Sequence, residues 1–380
     1  MTKRALAAGA AACAVALVVS HFRSTAYNNY VLLANAWLHG RAWIDWPGQY
    51  IDALLYHGRY YVIEAPMPAV LLLPWVAAAG VHANQTLLAV VLCGVAVGAA
   101  WSIGERLGVR PRDLALLCAF LLAGTDLLWC AMLGDVWFVA HVSAACFTFL
   151  ALAELVHGRR GWLVALWGAC AAASRFSLVL ALPVYAALLW SGVPRFRRYA
   201  GFCAVVLCAV ALSIWYNEVR WGTALDIGYT TWFHQDAAGA PSGSPFRLSY
   251  LPYELWSFFV QVPSFAAIAP FVVPSFSGVA LTWTSPALLL ALWARRPQPL
   301  VASMWVAAFL TAAPSFLYYV NGFAQFGMRH ALDFEPFLFV LMLAAAQPGL
   351  ATIWRVLVGW SVAVGAWGCW YWNVFVRPGY

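Results

Sequence analysis

Apolar residues in this chain come in runs, and the runs have the length of a membrane. A helix that crosses a bilayer needs about 20 mostly apolar residues. Runs approaching that length cover 5–21, 86–104, 114–131, 137–157, 162–174, 177–192, 200–216, 278–294, 300–319, 331–347 and 353–372. Each predicts a membrane-spanning helix, eleven in all. One further apolar stretch, Met67–Gly80, is shorter, contains Pro68 and Pro74, and follows Pro66. The first run follows Lys3 and Arg4 in the manner of a signal peptide. Its cleavage context is weak and many spans follow it, so a retained anchor is the expectation.

Composition points the same way. Of 380 residues, 64% are hydrophobic and 9% charged, and the mean hydropathy is +0.78. A soluble domain carries about a quarter charged residues and must present a wetted surface, so lipid is the solvent this composition fits. The 22 tryptophans and 16 tyrosines suit the two membrane interfaces. The expected fold class is therefore all-α, a polytopic transmembrane bundle forming one integral membrane domain over 1–380. A net charge of +7 would also suit nucleic acid. No basic run with interleaved aromatics occurs in a soluble segment, and nucleic acid is set aside. The nine cysteines lie in or beside apolar runs without a CxxC pair and read as small buried hydrophobes.

Charge decides the topology of Met67–Gly80. If it crosses, the arginines from Arg106 to Arg198 fall outside, against the positive-inside bias. If it is a half-helix at the outer surface, 13 of the 21 basic residues lie inside with three acids, Glu105, Asp113 and Glu154. The second arrangement is preferred, with the N-terminus cytoplasmic and the C-terminus outside. Two large outer segments result, 22–85 and 217–277. Both mix Trp, Tyr, Arg and carboxylates, a composition suited to sugars, and the second contains a loop-like insert, Ala237–Pro245.

The first outer segment runs from Tyr27-Asn-Asn-Tyr through His39-Gly-Arg-Ala-Trp-Ile-Asp45 to Asp52-Ala-Leu-Leu-Tyr-His-Gly-Arg59, then Tyr60-Tyr-Val-Ile-Glu64-Ala-Pro-Met-Pro68. It resembles the first extracytoplasmic loop of GT-C glycosyltransferases, in particular bacterial relatives of the protein mannosyltransferase and lipid A aminoarabinose transferase families. Gly58-Arg-Tyr-Tyr61 with Pro66-Met-Pro68 carries the likeness most clearly. The resemblance implies a GT-C bundle with juxtamembrane helices in its large first loop, in a bacterial inner membrane. It also implies transfer of a sugar from a polyprenyl-phosphate donor to an outer-face lipid, polysaccharide or protein acceptor. One departure stands out: where such enzymes carry an acidic pair after the first span, this chain has Asn28 and Asn29. An amide cannot serve as a base, so Asp52 becomes the first candidate, followed by Asp45 and Glu64. The competing reading pairs Asp52 with Arg41 or Arg59 on a wet loop.

The departing phosphate would need cationic donors. Arg329 and His330 stand at the start of the tenth run, in Gln325-Phe-Gly-Met-Arg-His-Ala-Leu-Asp333. Arg175 occupies an outer turn, and Arg59 lies close to Asp52 in sequence. For Arg175 and Arg329 the competing reading is an ion pair with Asp333, Glu335 or Asp135. Tyr60, Tyr61, Glu218, Arg220, Asp226 and His141 are candidates for the acceptor cleft. His141 alternatively serves as a helix–helix hydrogen bonder. Asp45, Asp52, His57 and Glu64 have donor atoms of the kind that hold a divalent ion, at a spacing that matches no fixed motif. No P-loop, HExxH or CxxC occurs. A transporter or glycolipid flippase is the alternative from another class, and a catalytically dead relative is a third reading.

Overall fold

The computed structural model describes residues 2–48, 51–190, 196–225, 228–235 and 244–376. Asp226 and most of the 237–245 insert lie outside the described residues. The chain is mostly helical. In order, the α-helices are α1 (Lys3–Val19), α2 (Asn29–Leu38), α3 (Met67–Ala79), α4 (Gln85–Arg106), α5 (Pro111–Ala123) and α6 (Leu127–Leu133). The next five are α7 (Val136–Val156), α8 (Gly161–Ala172), α9 (Leu182–Trp190), α10 (Phe196–Trp221) and α11 (Tyr229–Gln235). The last five are α12 (Leu251–Phe259), α13 (Leu281–Thr284), α14 (Gln298–Leu317), α15 (Glu335–Ala345) and α16 (Thr352–Tyr371). Tighter 3₁₀ turns at Phe176–Ala181, Pro286–Trp293 and Arg329–Asp333 adjoin α9, α13 and α15.

Each apolar run overlaps helix, although 278–294 is only the short α13 and the 3₁₀ segment Pro286–Trp293. Among the described residues four helices are long and apolar enough to cross a membrane: α4, α7, α10 and α14. The pair α5 and α6, bent by 47°, makes a fifth if it counts as one span. Starts and stops follow local chemistry. Asn84 Oδ1 accepts from the Thr86 and Leu87 amides at the head of α4, and Pro111 opens α5 where its missing N–H costs nothing.

Contacts between helix ends show how the bundle alternates. Thr2 at the start of α1 donates to Glu105 at the end of α4, 2.6 Å away. Arg106 reaches the Val156 carbonyl at the end of α7. Arg110 and Arg355 both pair with Asp113, and Arg160 pairs with Glu154. These termini therefore share one end of the bundle. At the other end Asn373 donates to the Val19 carbonyl, and Gln85 donates to the Gly134 carbonyl at 2.7 Å. Helix α3 begins there, where the Met67 amide bonds the Ala173 carbonyl, and the chain after it returns there at Gln85. It is 13 residues long, about 20 Å at helical rise, and starts and finishes at the same end.

Packing is closest between α1 and α4. A Cβ built on Gly9 would stand 2.8 Å from the Gly94 carbonyl oxygen, so the two backbones meet where only glycine fits. At the opposite extreme, α10 rests on α8 and leaves nearly all of its apolar surface exposed.

The connecting segments are not purely helical, which departs from the all-α expectation in detail. Strands β1 (Leu54–Tyr56) and β2 (Arg59–Tyr61) pair antiparallel, Leu54 opposite Tyr61. Their two-residue turn, His57-Gly58, has both φ angles positive, 47° and 73°, as the twist of a tight hairpin requires. A second small hairpin joins β3 (Ser264–Phe265) to β4 (Val272–Val273).

Candidate functional site

A cavity of about 2160 Å³ opens at the end of the bundle where α3 begins. Its polar lining includes Asp52, Glu64, Asp135, His141, Arg175, Arg220, Arg329 and His330, with Arg23 and Arg41 also on its wall. Its apolar part runs along α8, the 176–181 turn, the bare helix α10 and the end of α14.

The hairpin explains how two acids reach this space together. Leu54 is opposite Tyr61, and continuing that register past the paired strands sets Asp52 across from Ile63, beside Glu64. Trp137 Nε1 donates to Asp52 Oδ2 at 2.6 Å, and the Asn29 amide donates to the Asp52 backbone carbonyl at 2.7 Å. Asn29 thus holds the backbone of the residue proposed to replace an acid at its own position. Glu64 is buried, and among the described residues neither of its carboxyl oxygens has a hydrogen-bond partner. Burial, and then the nearby Asp52 carboxylate, hold the Glu64 carboxyl well above the usual carboxylate range. From the far side, Arg220 donates to the Val62 carbonyl and to Asn217 Oδ1 while lying over the Tyr216 ring, 4.0 Å from its centroid. It clamps the hairpin to the end of α10.

The second polar group is built on Asp333, which is completely buried. It accepts from Ser177 Oγ (2.7 Å), His141 Nδ1 (3.0 Å) and Arg175 Nη2 (3.1 Å) and Nε (3.2 Å). One carboxylate therefore ties together α7, the turn after α8 and the approach to α15. The His141 ring lies 5.3 Å from that of His330. Arg329 is different: among the described residues it has no ion-pair partner, and its Nη1 donates to the Phe323 carbonyl and Gln325 Oε1. Its Nε is buried and has no partner among the described residues.

The candidates thus separate. Asp52, Glu64, Arg175, Arg220, Arg329, His330 and His141 share the cavity. Asp45 does not; it is exposed and ion-paired to Arg41 at 2.9 Å. Arg59 stacks on Trp43, 3.7 Å from the ring centroid, so neither arginine offered as a mate for Asp52 takes that role. Tyr60 packs on Trp46 and Tyr61 on Trp221, which makes both hairpin supports outside the cavity lining. Glu218 is exposed and outside the cavity lining. For Arg175 the ion pair with Asp333 is what the structure contains. His57 occupies the hairpin turn against Tyr56, so the four suggested metal ligands are dispersed, and among the described residues no group of three His, Cys, Asp or Glu converges.

Trp137, Asn29 and Asp333 contribute most among the residues that the sequence did not single out for the site. Asp333 carried a signal as a charge beside Arg329 and His330, and Asn29 as the amide at the acidic-pair position; Trp137 carried none. Comparison with family models, curated proteins and solved structures finds no match to this chain.

Proposed function

We propose that the protein is a GT-C type membrane glycosyltransferase with eleven spans in a bacterial inner membrane, its N-terminus cytoplasmic and its cavity on the extracytoplasmic side. One observation carries the reading: a single cavity joins a carboxylate pair, an arginine without an ion-pair partner among the described residues and two histidines to a long apolar wall whose other side is bare. A polyprenyl-phosphate sugar has the same three-part character of polar sugar, anionic phosphate and apolar tail.

In this mechanism the acceptor hydroxyl is deprotonated by Asp52 as its oxygen attacks the anomeric carbon. The bond from that carbon to the phosphate oxygen breaks with its electron pair, and the polyprenyl phosphate departs toward Arg329 and His330. A single displacement inverts the anomeric configuration. Trp137 and Asn29 hold Asp52 in place, while Glu64 in its protonated form supplies a donor to the sugar or acceptor instead of a second competing charge. The acceptor is a lipid, glycan or protein on the outer face.

The test is Asp52→Asn, which keeps an oxygen for Trp137 and removes the base. Sugar transfer is expected to vanish while the protein still inserts and folds. Mass spectrometry of surface glycans and lipids, with and without the gene, reads out the missing unit. Full transfer by the variant removes Asp52 from the mechanism. The size of the cavity and its apolar side also suit a glycolipid flippase, and movement of labelled glycolipid between leaflets without sugar transfer would establish that reading instead.

A further inference from the structure

The second hairpin has a composition that water-exposed turns do not have. Between Val262 and Pro274 the only polar side chain is Ser264, and no charged residue occurs from Leu255 to Ala294. Exposed turns are normally built from Gly, Asn, Asp and Ser. Here the tip carries Phe265, Ile268 and Phe271, which are 70%, 77% and 58% exposed. Trp256, Phe259 and Val260, at the end of α12, extend the same bare apolar surface.

The base of the hairpin is firmly tied. Gln261 donates to Ser277 Oγ at 2.7 Å, Gln325 donates to the Ser277 carbonyl at 2.8 Å, and Arg329 in turn donates to Gln325 Oε1. The tip is thus held out from the bundle by a fixed root. The surface is also continuous with the membrane-facing belt: Thr282 Oγ1 bonds the Phe259 carbonyl, and the turn that follows α13 exposes Leu289, Leu292 and Trp293.

We propose that residues 262–274 form an interfacial anchor, with Phe265, Ile268 and Phe271 seated at the headgroup–acyl boundary of the leaflet nearest the cavity. The absence of charge favours lipid over a protein partner, whose interface would carry a polar rim. The backbone sets the depth. Strands β3 and β4 pair only two residues each, the turn adds bonds such as Ala266 N–H to the Phe271 carbonyl, and the backbone groups outside these bonds need water, which the hydrocarbon core lacks. The tip therefore lies about 5–10 Å into the interface, as apolar faces of interfacial elements do.

The experiment places an environment-sensitive fluorophore on Ile268→Cys in a background with the exposed Cys203 and Cys208 changed to alanine, in phosphatidylcholine vesicles. A label at Asp45→Cys, in the exposed part of the first loop, is the water reference. The expected result is a blue-shifted emission relative to the reference, quenched more by lipids with a shallow doxyl group than by lipids with a deep one. Emission matching the reference overturns the proposal. So does a blue-shifted label that no doxyl lipid quenches, which would mean a protein covers the tip, and so does stronger quenching from the deep position. None of these outcomes depends on sugar transfer.

Discussion

Asp333→Asn is the most informative single change, because the structure sets its cost. The substitution keeps the volume and removes the negative charge that balances Arg175, whose side chain is 22% exposed. Breaking a buried pair by removing one partner costs about 3–5 kcal/mol, mostly through the charge left behind. The cavity lets some water reach Arg175, so the low end applies, about 3 kcal/mol. Arg175→Met should cost a similar amount, since Asp333 then keeps only His141 and Ser177. Neither orphaned charge survives in the double variant, which should fall short of additivity by about 2 kcal/mol. Reversible unfolding in mixed micelles, followed by tryptophan fluorescence, measures the cycle. Single variants that each cost under ~0.5 kcal/mol, or costs that add to within ~0.5 kcal/mol, would refute the view that Asp333 is the charge-balancing centre of this end of the bundle.

Glu64 binds its proton more tightly in the folded protein than in the unfolded chain. Its contribution to stability is therefore complete below the ordinary carboxylate range and declines as pH rises through the elevated native value. Thermal unfolding across pH should show Glu64→Gln equal to the parent in acid and more stable in base; parallel curves would contradict this. Glu254 gives the same sign with a defined window, since burial pushes its carboxyl up to about 8. Glu254→Gln should progressively outperform the parent between pH 5 and 9. Gly94→Leu should destabilise by about 1–3 kcal/mol through overpacking, because its Cβ would stand 2.8 Å from both Gly9 O and Cys13 Cβ. Gly359→Leu, with open space around its Cβ, is the control and should be near neutral. On the proposed function, Arg329→Ala should lower transfer by about 10²–10³, whereas Arg59→Ala, stacked on Trp43, should leave it unchanged; equal losses would reverse the assignment of the phosphate-binding arginine.

The helices were legible because membrane-length apolar runs are a property of the chain alone. The run 86–104 becomes Gln85–Arg106, and 137–157 becomes Val136–Val156. Exposure was not legible: α7 and α10 have the same mean hydropathy, 1.9, yet 83% of one window is buried and 6% of the other. Hydropathy reports a preference for a dry environment and cannot tell a protein interior from lipid. Convergence was legible only in part. The Tyr56-His-Gly-Arg59 turn was a local signal that brings Asp52 and Glu64 together, weaker than Asn-Gly and therefore easy to pass over. The meeting of Arg175 with Asp333, 158 residues apart, has no local signal, and neither has the Trp137 donor on Asp52. Such pairings are consequences of which helix ends share one side.

The bareness of α10 and the crowding of the polar cavity belong to one design. A buried α10 would close the space between α8 and α14, and the cavity would lose its apolar side. Held mainly against α8, with lighter contacts to α9 through Tyr199 and its end pinned by Arg220 and by the Tyr56 hydroxyl on the Trp221 carbonyl, α10 separates the cavity from the outer surface of the bundle along a single helix thickness. On the proposed reading that geometry admits an isoprenoid tail sideways while its phosphate stays among the polar residues, so the substrate need not leave the bilayer to react. It also places a demand on Arg220: freeing the top of α10 should disturb the carboxylate pair, because the same guanidinium that fixes the helix holds the Val62 carbonyl two residues before Glu64.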